Sequence, residues 1–171
     1  MTSIDGVDPA AADFDGVRQV FHEQPQNLLI DRVSEIEAGV RLTAHKAVTG
    51  DMPYPYPGWL LLESWTQAAA ILALWRSPGV SEPGPRIALP GAVYDVRFGV
   101  PLYPGDMVEH RVTLLRVRAE AVFLTGEART GGSVALLVGR LVVALRSADI
   151  FHTAWWPAGR RLEAGDRAAT A

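Results

Sequence analysis

The chain contains no cysteine, which removes disulfides, thiolate–zinc sites and cysteine nucleophiles from consideration. It has almost no lysine: of sixteen basic residues, fifteen are arginine and Lys46 is the single exception. Little charge of either sign is left over. The net charge of −3 gives no bulk attraction to nucleic acid or to an anionic membrane. A membrane-spanning run is also missing, because the longest apolar stretch, Gly58 to Trp75, is broken by Glu63, Ser64, Thr66 and Gln67. The first residues, MTSIDGVDPAAADFDG, place acids where a secretory signal would need positive charge and then an apolar run, so a cytoplasmic location is expected. Only four histidines occur, at positions 22, 45, 110 and 152, and no two have the spacing of metal ligands; no metal is expected. Glycine-rich phosphate loops, nucleophile elbows and RNA-binding aromatic motifs are absent as well.

What is present describes one domain. The 171 residues suffice for a single core, and 49% hydrophobic with 20% charged residues is the balance of a globular protein. Residues 1–16, with four aspartates among small residues, read as a mobile arm. Residues 17–30 suggest a short helix or turn running into an extended segment. Arg32 to Val48 alternates around Glu37-Ala38-Gly39 as a hairpin. Pro53, Pro55 and Pro57 then force an irregular, stiff loop.

Gly58 opens the one long helix, which should end near Arg76 ahead of Pro78-Gly79. It is apolar nearly all round, so sheet must cover most of it. From Ile87 onward the pattern is strand, with candidates Ala92–Phe98, Met107–Arg118, Ala121–Thr130 and Ser133–Ser147 parted by turn residues. One long central helix wrapped by an antiparallel sheet of about six strands is an α+β hotdog fold, expected over residues 17–148 with a tail at 149–171.

Four segments then point to a family. NLLIDRV (27–33), KAVTGDMPY (46–54), PGWLLLESWTQAAA (57–70) and YDVRFGVPLYPGD (94–106) are similar, in order and spacing, to stretches of the 3-hydroxyacyl-acyl-carrier-protein dehydratases of the FabZ type. The resemblance covers roughly residues 22–147. It implies a hotdog fold, dimerisation through sheet edges, and acyl thioesters carried on the phosphopantetheine of an acyl carrier protein, with no cofactor of the protein's own. In that family a longer loop between the second and third segments carries a Gly-His-Phe-Pro histidine, which faces a helix glutamate of the other protomer. Here the loop is shorter and has no histidine, while the glutamate is retained as Glu63.

The residues fit divided chemistry. Dehydrating a 3-hydroxyacyl thioester needs a base for the α-proton and an acid for the β-hydroxyl. Glu63 lies in an apolar helix, where a desolvated carboxyl stays protonated and can donate to a leaving hydroxyl; the plainer alternative is a surface glutamate on the helix's one wet stripe. Gln67, at i+4, shares its face and could hydrogen-bond it. Gly58 places free N–H groups and the positive end of the helix dipole where a thioester carbonyl could be polarised. Trp59, Trp65 and Trp75 read as core or acyl-tunnel lining. Asp51 is expected to be a turn residue. His45, on the strand entering the short loop, is the best internal substitute for the missing imidazole, though a strand histidine is more often structural. Arg97, inside the matched DVRF, has a site-like position and an open role, and arginines 86, 97, 111, 116 and 118 could face an acidic carrier protein.

The expected function is a subunit of a 3-hydroxyacyl-carrier-protein dehydratase in fatty-acid or polyketide synthesis. It would contribute Glu63 to a composite site with a homologous, histidine-bearing hotdog partner. A homodimeric hotdog enzyme of altered chemistry (thioesterase, isomerase or cyclase) and a non-catalytic acyl-carrier-binding scaffold are the alternatives.

Overall fold

Pro57 has no backbone N–H to give, and the chain becomes helical directly after it: Leu60 and Leu61 both donate to the Pro57 carbonyl, at 3.0 and 3.1 Å. The computed structural model describes residues 28–51, 53–75 and 86–147. The arm, the segment 17–27 and the tail lie outside these, as do His22 and His152. Helix α1 spans Gly58–Leu74, two residues short of the expected end, and Trp75 closes it by donating to Ile71 O at 2.8 Å. Six strands make one antiparallel sheet: β1 (Arg32–Glu37), β2 (Arg41–Ala47), β3 (Arg86–Phe98), β4 (Met107–Arg118), β5 (Ala121–Thr130) and β6 (Ser133–Ser147). Their order is β1-β2-β4-β5-β6-β3, so the connection through α1 carries the chain from β2 across the sheet to its far edge. This is the expected hotdog architecture.

Turn chemistry sets the register. Thr130 pairs with Ser133 across Gly131-Gly132, both at positive φ (51° and 83°), the geometry a two-residue hairpin needs to match strand twist. The exception to the sequence reading is β3, which begins at Arg86 rather than Ala92. Pro90-Gly91 looks like a strand break, yet β3 is an edge strand and takes the proline at a register shift between Pro90 and Ala92.

The core fills the space between α1 and one face of the sheet. Alternation decides that face: Leu42 and Ala44 on β2, Val108, His110 and Val112 on β4, and Leu141, Val143 and Leu145 on β6 are all buried. From the helix, Trp65, Ile71 and Leu72 pack against them at 0–2% exposure, with Ile71 and Leu72 each contributing about 2 kcal/mol by burial. Trp65 also docks by a polar contact, its indole N–H donating to Arg111 O at 3.2 Å, over a notch where Gly126 has no side chain. The opposite sheet face carries the exposed ion pairs Arg41–Glu35 and Arg111–Glu109 on β1, β2 and β4. No described helix is long and apolar enough to cross a membrane.

Candidate active site

Two of the matched segments meet beside the helix start. The loop that follows β2 is tied to the segment before β4 by Val48 N–H to Asp106 O (2.9 Å), Gly105 N–H to Val48 O (2.9 Å) and Tyr56 N–H to Leu102 O (2.8 Å). Asp106 braces its own turn by accepting from Tyr103 N–H at 2.7 Å. Asp51 is an exposed turn residue as expected, its carboxyl held below the usual range first by the Thr49 side chain and then by its own backbone. The loop therefore delivers the chain to Gly58 along a fixed path.

At Gly58 the helix begins with no side-chain cap and no acidic residue in its first turn, so its leading N–H groups and positive end are unneutralised. The Phe98 ring of β3 stands against it: a methyl group added at Gly58 would come within 3.0 Å of that ring. Phe98 is itself 55% exposed.

Glu63 departs from expectation. Its side chain is exposed in the protomer, not enclosed by the apolar helix. The reason is geometric: a helix packed on one sheet covers one side, and Leu60, Leu61, Trp65 and Ala68 take that side, leaving Trp59 and Glu63 on the other. Trp59 is corrected with it. Instead of core, it is 69% exposed, one turn from Glu63, while Trp65 is fully buried and Trp75 packs partly buried against the core.

Gln67 is buried, and its Oε1 accepts the Leu29 N–H at 2.9 Å. The other backbone polar group of the same residue, Leu29 O, accepts from the Ser64 hydroxyl at 3.1 Å. Ser64 also lies 2.6 Å from Nε2 of His110, and both are fully buried. Burial, with smaller contributions from His45 and Lys46, pushes the His110 imidazole down to about 3.

His45 does not join this group. On β2 it follows the phase of Arg41 and Thr43, opposite that of the buried Leu42 and Ala44, and so lies on the sheet face away from α1. There it contacts the Ser34 hydroxyl at 2.7 Å, and partial burial and Arg32 lower its pKa. It cannot stand in for an imidazole facing Glu63 of the same protomer. Arg97, on edge strand β3 opposite Leu137, is exposed. The structure thus leaves Trp59 and Glu63 on the open side of α1, sets Phe98 against Gly58 at the helix start, and sends Gln67 inward. Sequence reading gives Ser64 and Phe98 no role and sets His110 aside as a strand residue distant from the helix start. The phase of His110 with Val108 and Val112 was the available sign that it points at the helix. Among the described residues, no group of three or more His, Asp or Glu side chains could hold a metal.

Comparison with known proteins agrees with this fold. Residues 23–138 match the model of the FabA-like domain. The chain is 37% identical over 128 residues to the 3-hydroxyacyl-[acyl-carrier-protein] dehydratase FabZ of Polaromonas sp., covering 70% of this chain and 87% of that one. It is 35% identical to that of Anaeromyxobacter dehalogenans, covering 70% and 81%. Among solved structures, the dehydratase heterocomplex ApeI:P from Xenorhabdus doucetiae superposes with a TM-score of 0.65 at 19% identity, over 77% of this chain and 91% of that one. A thioesterase from Haemophilus influenzae gives 0.61 at 12% identity, over 81% and 94%, a likeness of fold alone. With its family match spanning most of the described sheet and helix, this chain belongs to the FabA-like family, as a FabZ-like member with the hotdog fold.

Proposed function

We propose that the chain is one subunit of a 3-hydroxyacyl-acyl-carrier-protein dehydratase, acting in the cytoplasm in fatty-acid or polyketide synthesis. Glu63 supplies the acid, and a homologous hotdog partner supplies the base. One observation carries the reading: Glu63 lies open beside exposed Trp59 on α1, with no described histidine of its own chain on that side. His45 is across the sheet, and His110 is locked behind the helix. The short loop between Val48 and Gly58 contains none.

An exposed glutamate by itself is ordinary. One set against an uncovered tryptophan, with an uncovered phenylalanine at the helix start, belongs to a surface that another protein covers. Covering it excludes water and sets the carboxyl against the substrate, as general-acid work requires. The partner's imidazole then takes the α-proton of the acyl thioester. Glu63 gives its proton to the β-hydroxyl, the C–O bond breaks, water leaves and the α,β-double bond forms. The unneutralised N–H groups at Gly58 stabilise charge on the thioester oxygen during proton removal. Edge strand β3, with Val93, Tyr94 and Phe98 exposed, offers the seam for the partner.

The test is to purify this chain alone, then together with a hotdog dehydratase chain that keeps the Gly-His-Phe-Pro loop, and to follow enoyl-thioester formation from a 3-hydroxyacyl carrier protein. Activity should need both chains and should be lost with Glu63→Gln in this one. Equal activity of the isolated chain rejects the reading.

A further inference from the structure

Ser64 follows Glu63 directly, and its single hydroxyl proton has two claimants. Leu29 O can only accept, and lies 3.1 Å away; His110 Nε2 lies at 2.6 Å and can either accept or donate. Both contacts are hydrogen bonds only if Ser64 donates to Leu29 and His110 Nε2–H donates to Ser64. The opposite tautomer would bury an N–H at Nδ1, which has no partner. An unfilled acceptor is the more tolerable of the two. The imidazole is therefore a neutral donor through Nε2.

Leu29 also gives its N–H to Gln67 Oε1 at 2.9 Å. Ser64 and Gln67 are three residues apart, neighbours on one side of α1. Two side chains of the helix thus hold both backbone polar groups of one residue, Leu29, and an imidazole from β4 completes the set. Apolar packing and the Trp65 indole N–H to Arg111 O seat α1 on the sheet. The directional bonds at Ser64 and Gln67 add a second hold on its rotation about its axis.

We propose that His110 is a positioning residue: by donating to Ser64 it locks the rotation of α1 about its axis, and so fixes where the adjacent Glu63 carboxyl points. The role rests on the dehydratase reading, in which displacement by about 1 Å can cost about 10²-fold in rate.

The experiment uses the assembled two-chain enzyme with His110→Leu and His110→Gln in this chain. Leucine fills much of the space and donates nothing; the glutamine amide places an N–H near the position of Nε2. The expected result for His110→Leu is a fall in kcat of about 10- to 100-fold at nearly unchanged KM, with glutamine restoring most of it. A parallel measurement on the wild-type chain reads the nitrogen-15 shifts of the imidazole, which should report the Nε2–H tautomer at pH 7. A folded His110→Leu enzyme with wild-type kcat, or an Nδ1–H tautomer, overturns the proposal. Should His110→Leu fail to fold, Ser64→Ala takes its place with the same expected loss. If the wild-type pair shows no dehydration while the Nε2–H tautomer is found, the dehydratase reading falls and the bond to Ser64 stands.

Discussion

Trp59 and Glu63 stand one helical turn apart on the side of α1 that the sheet leaves uncovered, the indole 69% exposed and the carboxylate beside it. Under the proposed function, this arrangement separates a chemical role of Glu63 from any structural one. In the proposed two-chain enzyme, Glu63→Gln should lower dehydration by about 10²–10⁴-fold, the range for loss of a general acid. Folding stability of the isolated chain should change by less than about 0.5 kcal/mol, as for other exposed positions. Parallel turnover and thermal-melt measurements check both halves, and a large melt shift would contradict the exposed placement.

Gly58→Ala puts a methyl group 3.0 Å from the Phe98 ring, so the ring must give by a few tenths of an ångström. Phe98 is exposed enough to move, and alanine is the better helix former. Stability should therefore stay within about 1 kcal/mol of wild type. Under the proposed function, in which Gly58 faces the thioester, displacing the ring should lower activity by about tenfold. Wild-type turnover for this variant would show that Phe98 does not border the substrate.

Gly126→Ala is the opposite case. The new carbon would sit 2.0 Å from the backbone oxygen of Arg111 and 3.1 Å from the Trp65 ring, and neither can swing aside. Overpacking at this point should cost about 3 kcal/mol, read from the denaturant midpoint of the isolated chain. A midpoint equal to wild type would mean that β4, β5 and Trp65 do not meet at this notch.

His110 predicts an acid sensitivity. Its imidazole is held down to about 3 in the folded state against 6.5 for the free group, so the unfolded chain binds the proton more readily between those values. Stability from this source is complete above pH 6.5 and declines as pH falls towards 3, by about tenfold in the folding equilibrium per pH unit. Denaturation curves at pH 7 and pH 5 should show the loss in wild type and a smaller one in His110→Leu. Identical pH dependence of the two proteins would contradict the buried neutral imidazole.

Much of the fold could be read from the chain. Strands β4, β5 and β6 fall where turn residues such as Gly131-Gly132 bound alternating runs, because hairpin geometry is a local property. β3 was half missed, since Pro90-Gly91 breaks a central strand but only bulges an edge, and edge position is a tertiary fact. Glu63 was found by its motif, yet its direction was not. A helix apolar on nearly every side carries no stripe to say which side the sheet will take. Ser64 and His110 are 46 residues apart, and strand alternation says that His110 points inward without saying what it meets.

The two margins of the sheet are unlike. β1 has six residues and presents Arg32, Glu35 and Glu37, two of these acids engaged with Arg41; β3 runs for thirteen and displays Val93, Tyr94 and Phe98. Short charged margins resist annealing to a neighbour, and a long one with aromatics among its charges, as here beside Asp95 and Arg97, resists it less. If two such sheets join along β3, each turns its guarded margin outward, and growth stops at a pair instead of running on into a fibre.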